Sequence, residues 1–178
     1  GVAFSGGPDS WSLLQQTQAW TTLNGGILKA LIVDHGWQDQ SHAWACHAEK
    51  MACNIGVDAH ILSLQLPRRT HQVARWARYD ALLAACSQHS LDFLFLGHHE
   101  DDNLETLWMR MEQKSYDWGL AGMPSISWQQ GITLVRPFLF MPKSHIDNDP
   151  LCIQDPANKN QRYRRTLARQ VIESLSDD

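Results

Sequence analysis

The sequence predicts an α/β protein: a Rossmann-like parallel sheet with helices on both faces. Three observations lead there. Short apolar runs recur through the first 135 residues, each is followed by a stretch with helical spacing, and each run ends in a polar or glycine-rich turn. A chain of 178 residues with 43% hydrophobic and 19% charged residues is enough for one substantial core.

Val2 to Phe4 is the first strand, stopped by SGGPDS (Ser5 to Ser10) and followed by a helix through Trp11, Leu13 and Leu14. Ile27 to Val33 is the second, ending at Asp34-His35-Gly36. Residues 41 to 54 then carry Ala, Trp, Cys and Met at spacings of three and four, which predicts a helix. Ala59 to Leu64 is the third strand and Val73 to Ser87 a long helix with Val73, Ala77, Leu82 and Ala85 inward. Phe93 to Leu96 is a compact buried strand, and HHEDDNLETLWMRM after it is a polar start to an amphipathic helix. Gly119, Gly122, Pro124 and Gly131 interrupt the stretch 113 to 131, leaving Ile132 to Val135 as the last strand. The division expected is a sheet domain over 1–140, then a linker and basic helical tail over 141–178.

Composition narrows the function classes. No apolar stretch approaches the roughly 18 residues that span a bilayer, and no secretory leader pattern opens the chain. A cytoplasmic protein is expected. Cys46, Cys53, Cys86 and Cys152 form no CxxC pair, which argues against a disulfide framework or a paired-cysteine metal site. A net charge of −4 excludes a coat for nucleic acid held by charge alone. The charge is uneven: residues 1–135 hold 8 Lys and Arg against 13 Asp and Glu, whereas Lys159, Arg162, Arg164, Arg165 and Arg169 lie in a window without any acid.

Ligands of open α/β sheets bind at the carboxyl ends of strands, so Ser5 to Ser10, Asp34-His35 and Gly97 to Asp102 are the informative positions. Gly6 and Gly7 permit a tight turn with amides facing an anion, while Ser5 and Ser10 add hydroxyls at a helix N-terminus. This is a phosphate cradle. It lacks the lysine of a Walker A loop, so simple γ-phosphate transfer is not its chemistry.

SGGPDS between a strand and a helix resembles the PP-loop of the N-type ATP pyrophosphatases, which split ATP between the α and β phosphates. VDHG at 33–36, ARWARY at 74–79, LGHHEDDNLET at 96–106, GLAGM at 119–123, RPFL at 136–139 and QDPANKNQRYRR at 154–165 narrow the resemblance. They follow the order of blocks in the tRNA(Ile)-lysidine synthetase family, and together resemble its N-terminal catalytic domain. The resemblance implies ATP and Mg²⁺ as cofactors and tRNA(Ile) and free L-lysine as partners, with adenylation of the wobble cytidine before the lysine amine displaces AMP.

Carried over residue by residue, it places pyrophosphate on Ser5, Gly6, Gly7, Asp9 and Ser10, with Asp9 positioning Mg²⁺. Val33, Asp34 and His35 border the adenosine. Asp101 and Glu105, four apart on one helical face, hold Mg²⁺ or the lysine ammonium, with Asp101 preferred to its neighbour Asp102. Arg75 and Arg78 contact phosphate or substrate; otherwise they are a solvated, ion-paired face. Lys114 alone keeps the positive charge that the family shows before GLAGM. Arg162, Arg164 and Arg165 touch the tRNA backbone, positioning it without reading bases. His98 and His99 are expected to serve hydrogen bonding at a strand end rather than a transition metal. Competing readings are a tRNA thiolation enzyme, disfavoured by the missing CxxC, and an inactive tRNA-binding module of the same fold.

Overall fold

The structure is a computed structural model that describes residues 1–36, 40–64, 70–112, 122–146 and 149–153. The side chains of His71 and Glu112 also lie outside the description. The elements are β1 (Val2–Ala3), α1 (Pro8–Asn24), β2 (Lys29–Asp34), α2 (Ser41–Asn54), β3 (Asp58–Ser63), α3 (His71–Gln88), β4 (Phe93–Phe95), α4 (Glu100–Glu112), β5 (Ile126–Gln129) and β6 (Ile132–Val135).

Six strands form one sheet in the order β3-β2-β1-β4-β6-β5. All neighbours are parallel except β5, which pairs antiparallel with β6. Side chains alternate across a strand, so consecutive apolar residues in β2 serve opposite faces. Ala30 and Ile32 pack with Trp11, Leu14, Ala48 and Met51 of α1 and α2. Leu31 packs with Leu82, Leu83 and Cys86 of α3 on the other face, together with Leu94 and Leu134. Helices therefore cover both faces, as the apolar runs predict.

The strands and helices expected over residues 1–135 are present, with ends shifted by a few residues. β5 is the addition, lying within the stretch 113–131 that glycine and proline interrupt. It is joined to β6 by Gln130 and Gly131, both at positive φ (50° and 83°), the backbone of a two-residue hairpin turn. Beyond β6, Phe138, Ile146 and Cys152 enter the core of the α1–α2 face, which anchors the described start of the 141–178 segment on the sheet. The basic tail from residue 154 onward lies outside the described residues.

Chain order reverses between β1 and β4. β1 continues through α1 to β2 on one side, and the chain returns through α3 to place β4 on the other side of β1. That reversal opens a crevice at the carboxyl ends of the two strands, the usual ligand position in such sheets.

Candidate functional site

Two loops meet at that crevice. After β1, Gly6 turns at φ +77°, and a side chain there would strike Ile153 Cδ1. Ile153 N–H also donates to the Gly6 carbonyl at 2.8 Å. The loop is braced internally by Ser10 Oγ, which donates to Gly7 O at 3.0 Å, accepts from Ser5 N–H at 3.2 Å and lies 3.1 Å from Ser5 Oγ. Gly7 occupies the N-cap of α1 without a side-chain cap. The first-turn amides, which have no intrahelical acceptor, thus face the crevice end of the helix dipole. α2 likewise starts without a side-chain cap at Gln40, whereas Thr70 caps α3 through Val73 N–H and Asp102 of α4 reaches back to His99 N–H at 3.1 Å.

After β4, Gly97 lies directly beneath the first turn of α1. A Cβ on it would come within 3.2 Å of the Asp9 carbonyl and 3.3 Å of Ser10 N. The two loops therefore touch through backbone. Buried His99 stands between their acids, with Nε2 3.9 Å from Asp9 Oδ2 and 3.4 Å from Asp102 Oδ2, and Nδ1 3.9 Å from Asp101 Oδ1. Lys143 completes the join: its ammonium pairs with Asp9, and its backbone N–H donates to Asp101 Oδ1 at 3.3 Å.

A cationic wall faces the same strand ends. Arg136, just after β6, is 8% exposed and donates through one terminal nitrogen to Pro124 O (2.8 Å) and Ser127 Oγ (3.3 Å). Arg75 and Arg78 of α3 place their guanidinium carbons 5.3 and 5.5 Å from the Tyr79 ring centre. Burial first, then the charges of Arg136, Arg78 and Arg75, hold His98 down at about 3, so its ring is neutral at neutral pH. Burial also pulls Arg78 down. His35 is lowered by burial and then by Arg78, against the opposing pull of Asp34. Asp34 itself accepts from Gly36 N–H at 3.0 Å and faces His42 Nδ1 at 3.2 Å.

The sequence-predicted residues sort accordingly. Ser5, Gly6, Gly7, Asp9 and Ser10 form one loop; Asp101 joins Asp9 through Lys143 and His99; and Glu105 lies one turn further along α4. Val33, Asp34 and His35 close the adjacent strand, where Arg78 acts on His35. Lys114, Arg162, Arg164 and Arg165 lie outside the described residues. Lys143 and Arg136 are additions. Arg136 stands in the RPFL string, whereas Lys143 sits in a proline-containing stretch without periodicity and carries no local signal.

A phosphate-bearing ligand fits this site. Arg136 Nε, His98 Nδ1 and His99 Nδ1 are buried without a hydrogen-bond partner among the described residues, and the α1 amides are uncapped by any side chain. No group of three or more His, Cys, Asp or Glu among the described residues forms a metal cage. Two carboxylates such as Asp9 and Asp101 are nonetheless the donor set Mg²⁺ uses when phosphate oxygens and waters supply the rest.

Comparison with known proteins agrees with the geometry. The PP-loop domain matches residues 1–175. The chain is similar to tRNA(Ile)-lysidine synthases: 33% identical to that of Hyphomonas neptunium over 97% of this chain and 50% of the relative. The protein of Ralstonia nicotianae is 31% identical over 98% and 40%, and that of Alkalilimnicola ehrlichii 34% over 96% and 40%. The chain thus spans about half or less of the length of these relatives. Among solved structures, the U34-tRNA thiolase NcsA from Methanococcus maripaludis, solved with its 4Fe-4S cluster, shares the fold at a TM-score of 0.74 and 15% identity, covering 99% of this chain and 65% of that one. No helix among the described residues is long and apolar enough to cross a membrane. With its glycine cradle at an uncapped helix start and a match over nearly its whole length, the chain belongs to the PP-loop domain family, whose fold implies ATP binding.

Proposed function

We propose that this chain is the catalytic part of an enzyme that joins lysine to the wobble cytidine of tRNA(Ile) with a CAU anticodon, releasing AMP and pyrophosphate and leaving lysidine. The observation that carries the proposal is the junction of phosphate cradle and acidic helix start, held by Asp9, His99, Asp101 and Lys143. Adenylation followed by amine attack needs an anion site and a cation site side by side.

In the first half-reaction a base oxygen of the cytidine attacks the α-phosphorus of ATP, and the α–β bond breaks with its electron pair leaving on pyrophosphate. The α1 amides, Gly6, Gly7 and the hydroxyls of Ser5 and Ser10 hold that leaving charge. Asp9, with Asp101, would hold Mg²⁺, which supplies further neutralisation of the phosphates. Val33, Asp34 and His35 border the adenosine, and Arg75 and Arg78 contact phosphate. In the second half-reaction the lysine amine, held as an ammonium by Asp101 and Glu105 until it loses a proton, displaces AMP. Lys114 and the tail residues Arg162, Arg164 and Arg165 are assigned to the tRNA backbone. Residues 1–140 supply the chemistry and 141–178 lead towards the tRNA, with Lys143 turned back into the site.

The deciding experiment incubates the full-length protein with ATP, labelled lysine and tRNA(Ile) bearing CAU. Label should enter the tRNA only with ATP present, in step with pyrophosphate release. No incorporation of lysine, with sulfur transferred instead, would overturn the proposal.

A further inference from the structure

Asp34 has a second neighbour besides its turn. Its Oδ1 accepts from Gly36 N–H, while Oδ2 lies 3.2 Å from Nδ1 of His42 in the first turn of α2. In the tautomer that carries its proton on Nδ1, the ring donates to Asp34 Oδ2 and Nε2 keeps its lone pair. That nitrogen is 3.6 Å from Sγ of Cys46, one turn further along α2. Asp34 is buried and fixed, His42 reaches into solvent with 72% of its side chain exposed, and Cys46 is half-buried. Thiol, base and orienting carboxylate thus stand in line, the arrangement that activates a cysteine nucleophile.

The other three cysteines lack this setting. Cys86 and Cys152 are buried, and burial pushes both thiols up. Cys53 lies exposed on the same helix two turns away and serves as an internal reference.

We propose that Cys46 is a base-assisted reactive thiol, a modification site for low-molecular-weight disulfides, and that an adduct there weakens nucleotide binding. In the exchange the Cys46 proton passes to His42 Nε2 and the sulfur attacks one sulfur of the disulfide. The disulfide bond breaks, the leaving thiolate takes the proton back from the imidazolium, and a mixed disulfide remains on Cys46. Cys46 is oxidised and the departing sulfur reduced, with nothing else consumed. The adduct occupies the space of His42 and removes its contact with Asp34, the residue that orders the turn after β2. This second half rests on the proposed place of Asp34 beside the adenosine.

The test treats the full chain with oxidised glutathione, and separately with iodoacetamide, at pH 7, following each cysteine by peptide mass spectrometry. Cys46 should react on the order of tenfold faster than Cys53. His42→Ala should bring it down to the Cys53 rate, with an unchanged circular dichroism spectrum. Equal rates in the unaltered protein, or no effect of His42→Ala, would overturn the reactive thiol. Glutathionylated protein should bind ATP several-fold more weakly, recover with dithiothreitol, and show no such loss as Cys46→Ser. An adduct that leaves ATP affinity unchanged overturns the coupling alone. Untreated protein that binds no ATP overturns the nucleotide assignment, while the rate comparison still decides the thiol.

Discussion

Single atoms decide how the crevice works. Asp9→Asn and Ser10→Ala should abolish pyrophosphate release while tRNA retention stays largely intact, measured by filter binding; equal loss of both would make the loop structural. Gly97→Ala is the steric counterpart. Its Cβ would meet the backbone of Asp9 and Ser10 at 3.2–3.3 Å, atoms that cannot rotate away, so we expect a cost of about 1–3 kcal/mol and weaker ATP binding together. His98 sets a pH dependence. Its folded value of about 3 is below the unfolded one, so the unfolded chain binds the extra proton and stability is lost as pH falls through the window from the ordinary histidine range to about 3. Denaturant midpoints should drop across that window, and His98→Gln should flatten the drop; an identical slope in the variant would show that other groups carry it.

At the scale of elements, the start of α4 shows how one acid serves two ends. Asp102 closes the cap through His99 N–H, so Asp102→Ala should cost about 1 kcal/mol, whereas Asp102→Asn keeps an acceptor and most of the stability. Chemical denaturation separates the two. If Asp102→Asn is stable yet fails in lysine transfer, Asp102 shares the task given to Asp101. The elements were legible to different degrees, for physical reasons. α2 announces itself because Ala45, Ala48, Met51 and Ala52 bury one helical stripe, and β2 because it is covered on both faces. β5 hides because Ile126 and Trp128 are exposed at a sheet edge and its turn places glutamine, not the usual Asn or Asp, ahead of glycine. The site divides the same way. SGGPDS and HHEDD are contiguous and readable, but Lys143 meets Asp9 across 134 residues, a distance only the folded sheet can close.

The whole molecule carries its charges in two places. The acid excess lies in residues 1–135, and the basic run follows at residues 159–169. Replacing Arg164 and Arg165 together by alanine should weaken tRNA binding and reduce the slope of log affinity against log salt by about one to two units. An unchanged slope would remove the tail from the binding surface.

The reversal between β1 and β4 has a bearing on folding as well as on chemistry. Ser5 to Ser10 and Gly97 to Asp102 become neighbours of one another only when β4 docks beside β1, a pairing that registers Val2 against Phe95. Loop closure over such a separation is slow and entropically expensive, so the capacity to hold ATP should arise late, with the last parallel strands rather than with the first helices. If the proposed site is right, a nucleotide spanning both loops would act as a clasp on that seam, and its presence should slow the parting of the sheet at the very place where the chain has the furthest to travel to mend it.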